Sequence, residues 1–205
     1  ATGGLSADDS DDPAASWIGH AVGCLDRART LEADFTQEVI HRLDGRAQLS
    51  RGKLQLRRGK RLRLEYDTPE RTLLVSDGKT VRSWDEKTRT MYESPARGTV
   101  VARALSFAIE GPQNDDFESR WLGGAERPAP GTRGVIELRP TFESPLASRI
   151  AVTLEGGCPS VVRLTIVDRA GTATRLTLDN QRLDRIIPAG RFAFEPPPGA
   201  TVVKP

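Results

Sequence analysis

The sequence predicts a mainly β protein with some helix, in which one antiparallel sheet of about eleven strands curls beneath covering helices. Three observations carry this expectation. Apolar and charged residues alternate with period two from Gly52 to Tyr66. Turn-forming clusters separate nearly every pair of consecutive extended runs. Helical periodicity is confined to two stretches, 13–29 and 100–110. A single antiparallel sheet of more than about ten strands does not stay flat, so curling follows from length alone.

The first helix is expected from Pro13 to Arg29, with Ser16 as its N-cap. Trp17, Ala21, Cys24, Leu25 and Ala28 fall on one stripe, which Ile18 and Val22 widen. Gly19 and Gly23 weaken this helix by roughly 1 kcal/mol each. The period then changes. Ala33–His41 (ADFTQEVIH) is a strand with Phe35, Gln37 and Val39 on one side. In GKLQLRRGKRLRLEY, Leu54, Leu56, Leu62, Leu64 and Tyr66 share one face, with Lys53, Gln55, Arg61, Arg63 and Glu65 on the other.

Residues 71–95 read RTLLVSDGKTVRSWDEKTRTMYESP, a three-strand meander turning at Asp77-Gly78 and at Asp85–Thr88. The second helix is TVVARALSFAIEG, with Val101, Ala104, Leu105 and Ala108 at i, i+3, i+4 and i+7 and a stop at Gly111-Pro112. Residues 117–122 fit a strand or a short helix, and 123–133 a loop. GVIELRP, SRIAVTLE, SVVRLTIVD, TATRLTLDN and RFAFEPPP complete the strands. No linker or repeat divides them, so 15–205 reads as one domain behind a disordered acidic leader, 1–14.

Composition excludes several functions. Thirty Lys and Arg face 28 Asp and Glu, and the cations are scattered along strands rather than gathered with aromatics, which argues against nucleic acid. No run of about 18 apolar residues offers a membrane-spanning helix, and the first residues lack the basic and apolar regions of a signal peptide. Asp8, Asp9, Asp11 and Asp12 lack the glycine and final glutamate of a calcium loop, so no metal is expected there. Neither His20 nor His41 accompanies a nucleophile motif, and no phosphate-binding glycine pattern occurs, so neither catalysis nor a cofactor is expected. Cys24 and Cys158 fit no metal spacing; one disulfide and two buried thiols both satisfy the count.

Two helices are too few to cover eleven strands as an ordinary core. The expectation is a cavity lined by Leu, Val and Ile, closed by the helices and open at times to an apolar ligand. Beyond the five residues of 54–66, its lining is assigned to Val75 and Trp84 in the meander, Val152, Leu164, Ile166, Leu176 and Leu178 in the later strands, and Phe192. The lid is assigned to Ile18, Val22 and Leu25 with Val101, Ala104, Leu105 and Ala108.

The ordered pieces LEADFTQEV (31–39), GKLQLRRGKRLRLEYDTPE (52–70), TLLVSDGKTV (72–81), VIELRP (135–140) and FAFEPPPGATVV (192–203) resemble the LolA family of periplasmic lipoprotein carriers. The resemblance runs from about residue 15 to 203. It implies an open barrel with a helical lid and a monomer whose cavity carries the acyl chains of lipoproteins. It also implies an inner-membrane lipoprotein-releasing ABC transporter as donor and an outer-membrane lipoprotein acceptor as recipient. A periplasmic location gives Cys24 and Cys158 the chance to bond. In the family an arginine latches the lid through hydrogen bonds, and the matching residue is Arg58, which alternation also sets on the face of Leu54 and Leu56. The chain departs from the pattern at Gln55, at Gly59 and at Arg82-Ser83-Trp84, where an inward Arg82 would shrink the apolar lining. A lipid- or lipoprotein-sensing module of the cell envelope, or a carrier of another envelope lipid, shares the same features.

Overall fold

The computed structural model describes residues 12–25, 28–96, 117–141, 149–158 and 160–204. One helix, α1 (Pro13–Leu25), precedes β1 (Thr30–Ile40), β2 (Ala47–Arg57), β3 (Arg61–Thr68), β4 (Thr72–Asp77), β5 (Thr80–Asp85) and β6 (Thr90–Pro95). Then follow β7 (Phe117–Gly124), β8 (Arg133–Pro140), β9 (Arg149–Glu155), β10 (Val161–Val167), β11 (Ala173–Leu183) and β12 (Thr201–Val203). The expected second helix at 100–110 lies outside the described residues, and with it Val101, Ala104, Leu105 and Ala108. Among the described residues no helix is long and apolar enough to cross a membrane.

All twelve strands of the described residues form one sheet in the order β12-β6-β5-β4-β3-β2-β1-β11-β10-β9-β8-β7. Every pairing is antiparallel except β12 on β6. The sheet curls but stays open, with β12 and β7 as its edges. A single apolar cluster runs along its concave face from Val81 on β5 to Ile136 on β8.

The hairpin turns follow local chemistry. Asp77 Oδ1 accepts from the backbone N–H groups of Lys79 and Thr80, both at 2.8 Å, which fixes the β4–β5 turn. Gly52 is needed where β2 meets β3, because a Cβ there would overlap the Glu65 carbonyl.

The expected N-cap moves. Asp12 Oδ1 accepts from Ala14 N at 2.9 Å and Pro13 occupies the first helical position, so Asp12, not Ser16, caps α1. Ala14, Trp17 and Ala21 are buried against the sheet, while Ile18 packs partly against it. Val22 lies about 140° around the helix from Trp17 and is 40% exposed, so it does not belong to the inward stripe. The side chain of Leu25 lies outside the described residues.

Three contacts hold α1 on the sheet. Trp17 Nε1 donates to the Ala125 carbonyl at 2.7 Å. The indole lies over Gly134, where a Cβ would stand 2.6 Å from the Trp17 ring and 2.7 Å from that of Trp121. A disulfide joins Cys24 on α1 to Cys158 in the β9–β10 turn, with Cα atoms 5.4 Å apart.

The C-terminus differs from expectation. RFAFEPPP is not a strand: Ala189–Phe192 is a 3₁₀ turn, and the prolines, lacking N–H donors, stay out of the ladder until β12. The 3₁₀ turn packs on β3 and β4, and Phe194 and Ala200 cover a second small cluster of Leu73, Val75, Trp84 and Met91.

Candidate functional site

Register defines the concave face. Leu54 opposes Leu64, and Leu56 opposes Leu62. Ala33 and Leu31 on β1 continue the row across from Leu54 and Leu56. On the other side Phe35 opposes Leu178, Leu176 opposes Leu164, and Leu164 opposes Val152. Leu54, Leu56, Leu62, Leu64, Val152, Leu164, Ile166, Leu176 and Leu178 are all buried in this one cluster, and Tyr66 packs partly against it.

These side chains pack together rather than line an open cavity. A recess of about 500 Å³ opens at the rim of the cluster, and its described lining is Gln37, Gln48, Ser50, Tyr66, Pro69, Glu70, Thr72, Leu74 and Ser83. Of the expected lining residues, Tyr66 alone borders it. Its ring meets that of Phe35 edge-on at 5.0 Å, and its hydroxyl donates to Gln37 Oε1 at 2.8 Å. Burial pushes the Tyr66 phenol up to about 12. Alternation placed Gln37 on the side of Phe35; the period-two pattern could not show that the recess opens beside it.

Three expected lining residues face the other way. Val75 opposes Arg63 and Arg82, and Trp84 opposes Leu73 and Met91, on the convex side. Both sit in the small cluster beneath the C-terminal segment. Phe192 is buried within the 3₁₀ turn that packs on β3 and β4. The convex side of that contact is fixed by Arg191, whose guanidinium donates to Glu65 at 2.8 Å and to Gln55 at 3.1 Å. The run Leu73-Leu74-Val75 is apolar on both faces, so alternation alone did not fix its phase. Arg82 also points outward, bridging Asp77 at 3.4 Å and Glu93 at 3.0 Å, and Ser83 takes the inward position.

The convex face of β2 and β3 carries Lys53, Gln55, Arg61, Arg63 and Glu65, as alternation requires. Gln55, Arg63 and Glu65 are more than a solvated face, because Arg63 pairs with Glu65 at 2.5 Å and donates to the Arg191 carbonyl at 3.1 Å. Burial opposes ionisation of Glu65, but Arg63 and Arg191 outweigh it and hold the carboxyl below its ordinary value.

Arg58 stands in the β2–β3 turn. Its Nε donates to the Ala28 carbonyl at 2.7 Å, and its backbone N–H to the Arg29 carbonyl at 3.1 Å. Ala28 lies in the connection from α1 to β1, and the 100–110 part of the expected lid lies outside the described residues. His20 Nε2 lies 3.7 Å from Cys24 Sγ and 3.3 Å from the Gly157 carbonyl. Both sulfurs are bonded to each other, so this cluster does not offer a metal its thiolates.

The site is thus an open curled sheet with a continuous apolar concave face and a helix pinned at its β7 end. The family model described as "Outer membrane lipoprotein carrier protein LolA" matches residues 26–195. The chain belongs to this family. An outer-membrane lipoprotein carrier protein of Chromobacterium violaceum is 28% identical over 193 residues, covering 92% of this chain and 88% of that protein. One from Pseudomonas aeruginosa is 26% identical over 203 residues, covering 98% and 93%. Among solved structures, an uncharacterised conserved protein from Thermus thermophilus aligns with a TM-score of 0.56 at 15% identity, covering 92% of this chain and 96% of that one. A LolA superfamily protein from Nitrosomonas europaea aligns at 0.50 and 10% identity, covering 88% and 97%. These two likenesses concern the fold.

Proposed function

We propose that the protein is a periplasmic carrier that takes the acyl chains of lipoproteins onto the concave face of its sheet and shuttles them from the inner to the outer membrane. The observation that supports this reading most is the unbroken apolar face from β5 to β8, ending at an open recess, in a chain of the lipoprotein-carrier family. Because Ala14, Trp17 and Ala21 of α1 pack on this face, loading requires the helix to move off it. Arg58 is the latch on that movement, held by the Ala28 carbonyl.

Energetics fit a carrier. Burying a methylene is worth about 0.8 kcal/mol, so a 16-carbon chain represents roughly 12 kcal/mol. Release of such a chain into water is too slow to be useful, and a soluble shuttle must offer an apolar lining of comparable quality. It must also bind less tightly than the next acceptor, and a closed form with its own polar contacts supplies that handicap. The donor is an inner-membrane lipoprotein-releasing ABC transporter, the recipient an outer-membrane acceptor, and the carrier works as a monomer without cofactor or catalysis. Native mass spectrometry of protein purified from the periplasm without detergent tests this. A mass increment equal to an acylated cysteine peptide or lipoprotein is expected; a phospholipid or glycolipid increment instead would assign a different cargo.

A further inference from the structure

The geometry points to the recess at the rim of the sheet as a selector for uncharged carbonyl linkages, the esters and amides that join acyl chains to a polar head, over free carboxylates and phosphates. This rests on the carrier reading and names the part of the cargo that the recess reads.

The recess is continuous with the apolar face. Leu74 and Tyr66 both pack against the concave cluster and line the recess. The strand register sets Gln37, Ser50, Thr72 and Ser83 on that same concave side: Gln37 opposes Ser50, Tyr66 opposes Thr72, and Leu74 opposes Ser83. A chain lying on the leucines therefore brings its head to a rim of hydroxyls and amides. This is the arrangement expected of a ligand site: an apolar floor with a few polar groups that fix orientation.

Charge decides which head fits. Among the described residues that line the recess there is no Lys or Arg, and Glu70 is the one carboxylate, held by Lys87 at 2.6 Å. An anionic head would lose water here without gaining a cation from these residues. A neutral carbonyl meets donors instead. Tyr66 donates its hydroxyl to Gln37 Oε1 at 2.8 Å, which fixes the carboxamide with its oxygen turned to the phenol. The two N–H donors of Gln37 remain, with no acceptor among the described residues. Tyr66 stays protonated, and so keeps this orientation, across any physiological pH.

The test compares three probes by displacement of a fluorescent acyl ligand: a diacylglyceryl-cysteine peptide, palmitic acid and phosphatidylglycerol. The parent should prefer the peptide. Gln37→Leu should weaken the peptide about tenfold, the scale of one well-placed hydrogen bond, and change palmitate less than about twofold. Tyr66→Phe, which keeps the ring, should do the same to a smaller extent. Gln37→Glu, nearly isosteric, guards against a folding artefact and should also reject the peptide while its melting temperature stays near the parent's. Equal losses on peptide and palmitate, no loss on either, or a parent that binds phosphatidylglycerol as well as the peptide would overturn the inference and leave the carrier reading standing. A parent that binds none of the probes overturns both.

Discussion

Arg58 Nε donates to the carbonyl of Ala28 at 2.7 Å, which ties the β2–β3 turn to the chain leaving α1. The carbonyl belongs to a residue only 2% exposed, so losing the bond leaves an acceptor without water. Arg58→Leu removes this bond and should favour the open, loaded form. The expected outcome is acyl-peptide binding tightened by on the order of tenfold and hand-over to acceptor-containing vesicles slowed by a similar factor. Arg58→Lys keeps the charge but loses the guanidinium fork, and should fall between. Hand-over rates of a labelled acylated peptide read this directly; a Leu variant that releases as fast as the parent would leave Arg58 a strand-end residue and no latch.

The disulfide makes a separate prediction. Cys24–Cys158 closes a separation of 134 residues and pins α1 to the β9–β10 turn. In the chain-entropy model its stabilisation is at most roughly 5 kcal/mol. Adding a reductant should lower the melting temperature of the parent by many degrees and leave that of a Cys24→Ser, Cys158→Ser double variant unchanged. Intact mass after alkylation without reductant checks the bond itself: two adducts would mean that it does not form.

The packing of Trp17 over Gly134 leaves no room for a methyl group. Gly134→Ala should push the indole off its seat, weaken its bond to Ala125 and cost about 1–3 kcal/mol. Chemical denaturation gives the loss of stability, and a red shift of tryptophan emission would locate it at α1. An Ala variant with parental stability and emission would show that α1 is not held there.

Two titrations bound the stable pH range. The folded pKa of Tyr66 is raised from its ordinary value of 10.0 to about 12, so its contribution is complete below pH 10 and is lost as pH rises towards 12. The loss is on the order of 3 kcal/mol, and Tyr66→Phe should abolish it. The folded pKa of Glu65 is lowered from 4.5, so its contribution is complete above that value and disappears as pH falls through the lowered one. Glu65→Gln should flatten the acid limb. Unfolding midpoints measured across pH for the parent and both variants check each limb separately.

Much of the sheet was legible because one face of it obeys a strict period. Leu54, Leu56, Leu62 and Leu64 could be placed inward from alternation with Lys53, Gln55, Arg61 and Arg63, and β2–β3 pairing preserves that order. The meander was harder. Leu73, Leu74 and Val75 are consecutive apolar residues because a second layer, the C-terminal segment with Phe194, covers the outer face. That contact joins residues more than a hundred positions apart and leaves no local signature, so alternation alone does not show that Val75 and Trp84 pack beneath it. The N-cap is ambiguous in the sequence for a simpler reason. Asp12 and Ser16 are both good caps, and Pro13, which fits the first turn without an N–H, selects Asp12. The recess has no signature in the sequence, because Gln37, Ser50, Thr72 and Ser83 come from four strands and meet only once the register is set.

Leu74 and Val75 are neighbours in sequence that face opposite sides of β4, the first towards the recess and the second beneath the C-terminal segment. A photo-crosslinking amino acid placed at one or the other, followed by illumination with an acylated cysteine peptide, asks directly which face carries the acyl chain. The concave-face account predicts a peptide adduct from position 74 and none from position 75. Crosslinking from position 75 alone, or equally from both, would contradict it.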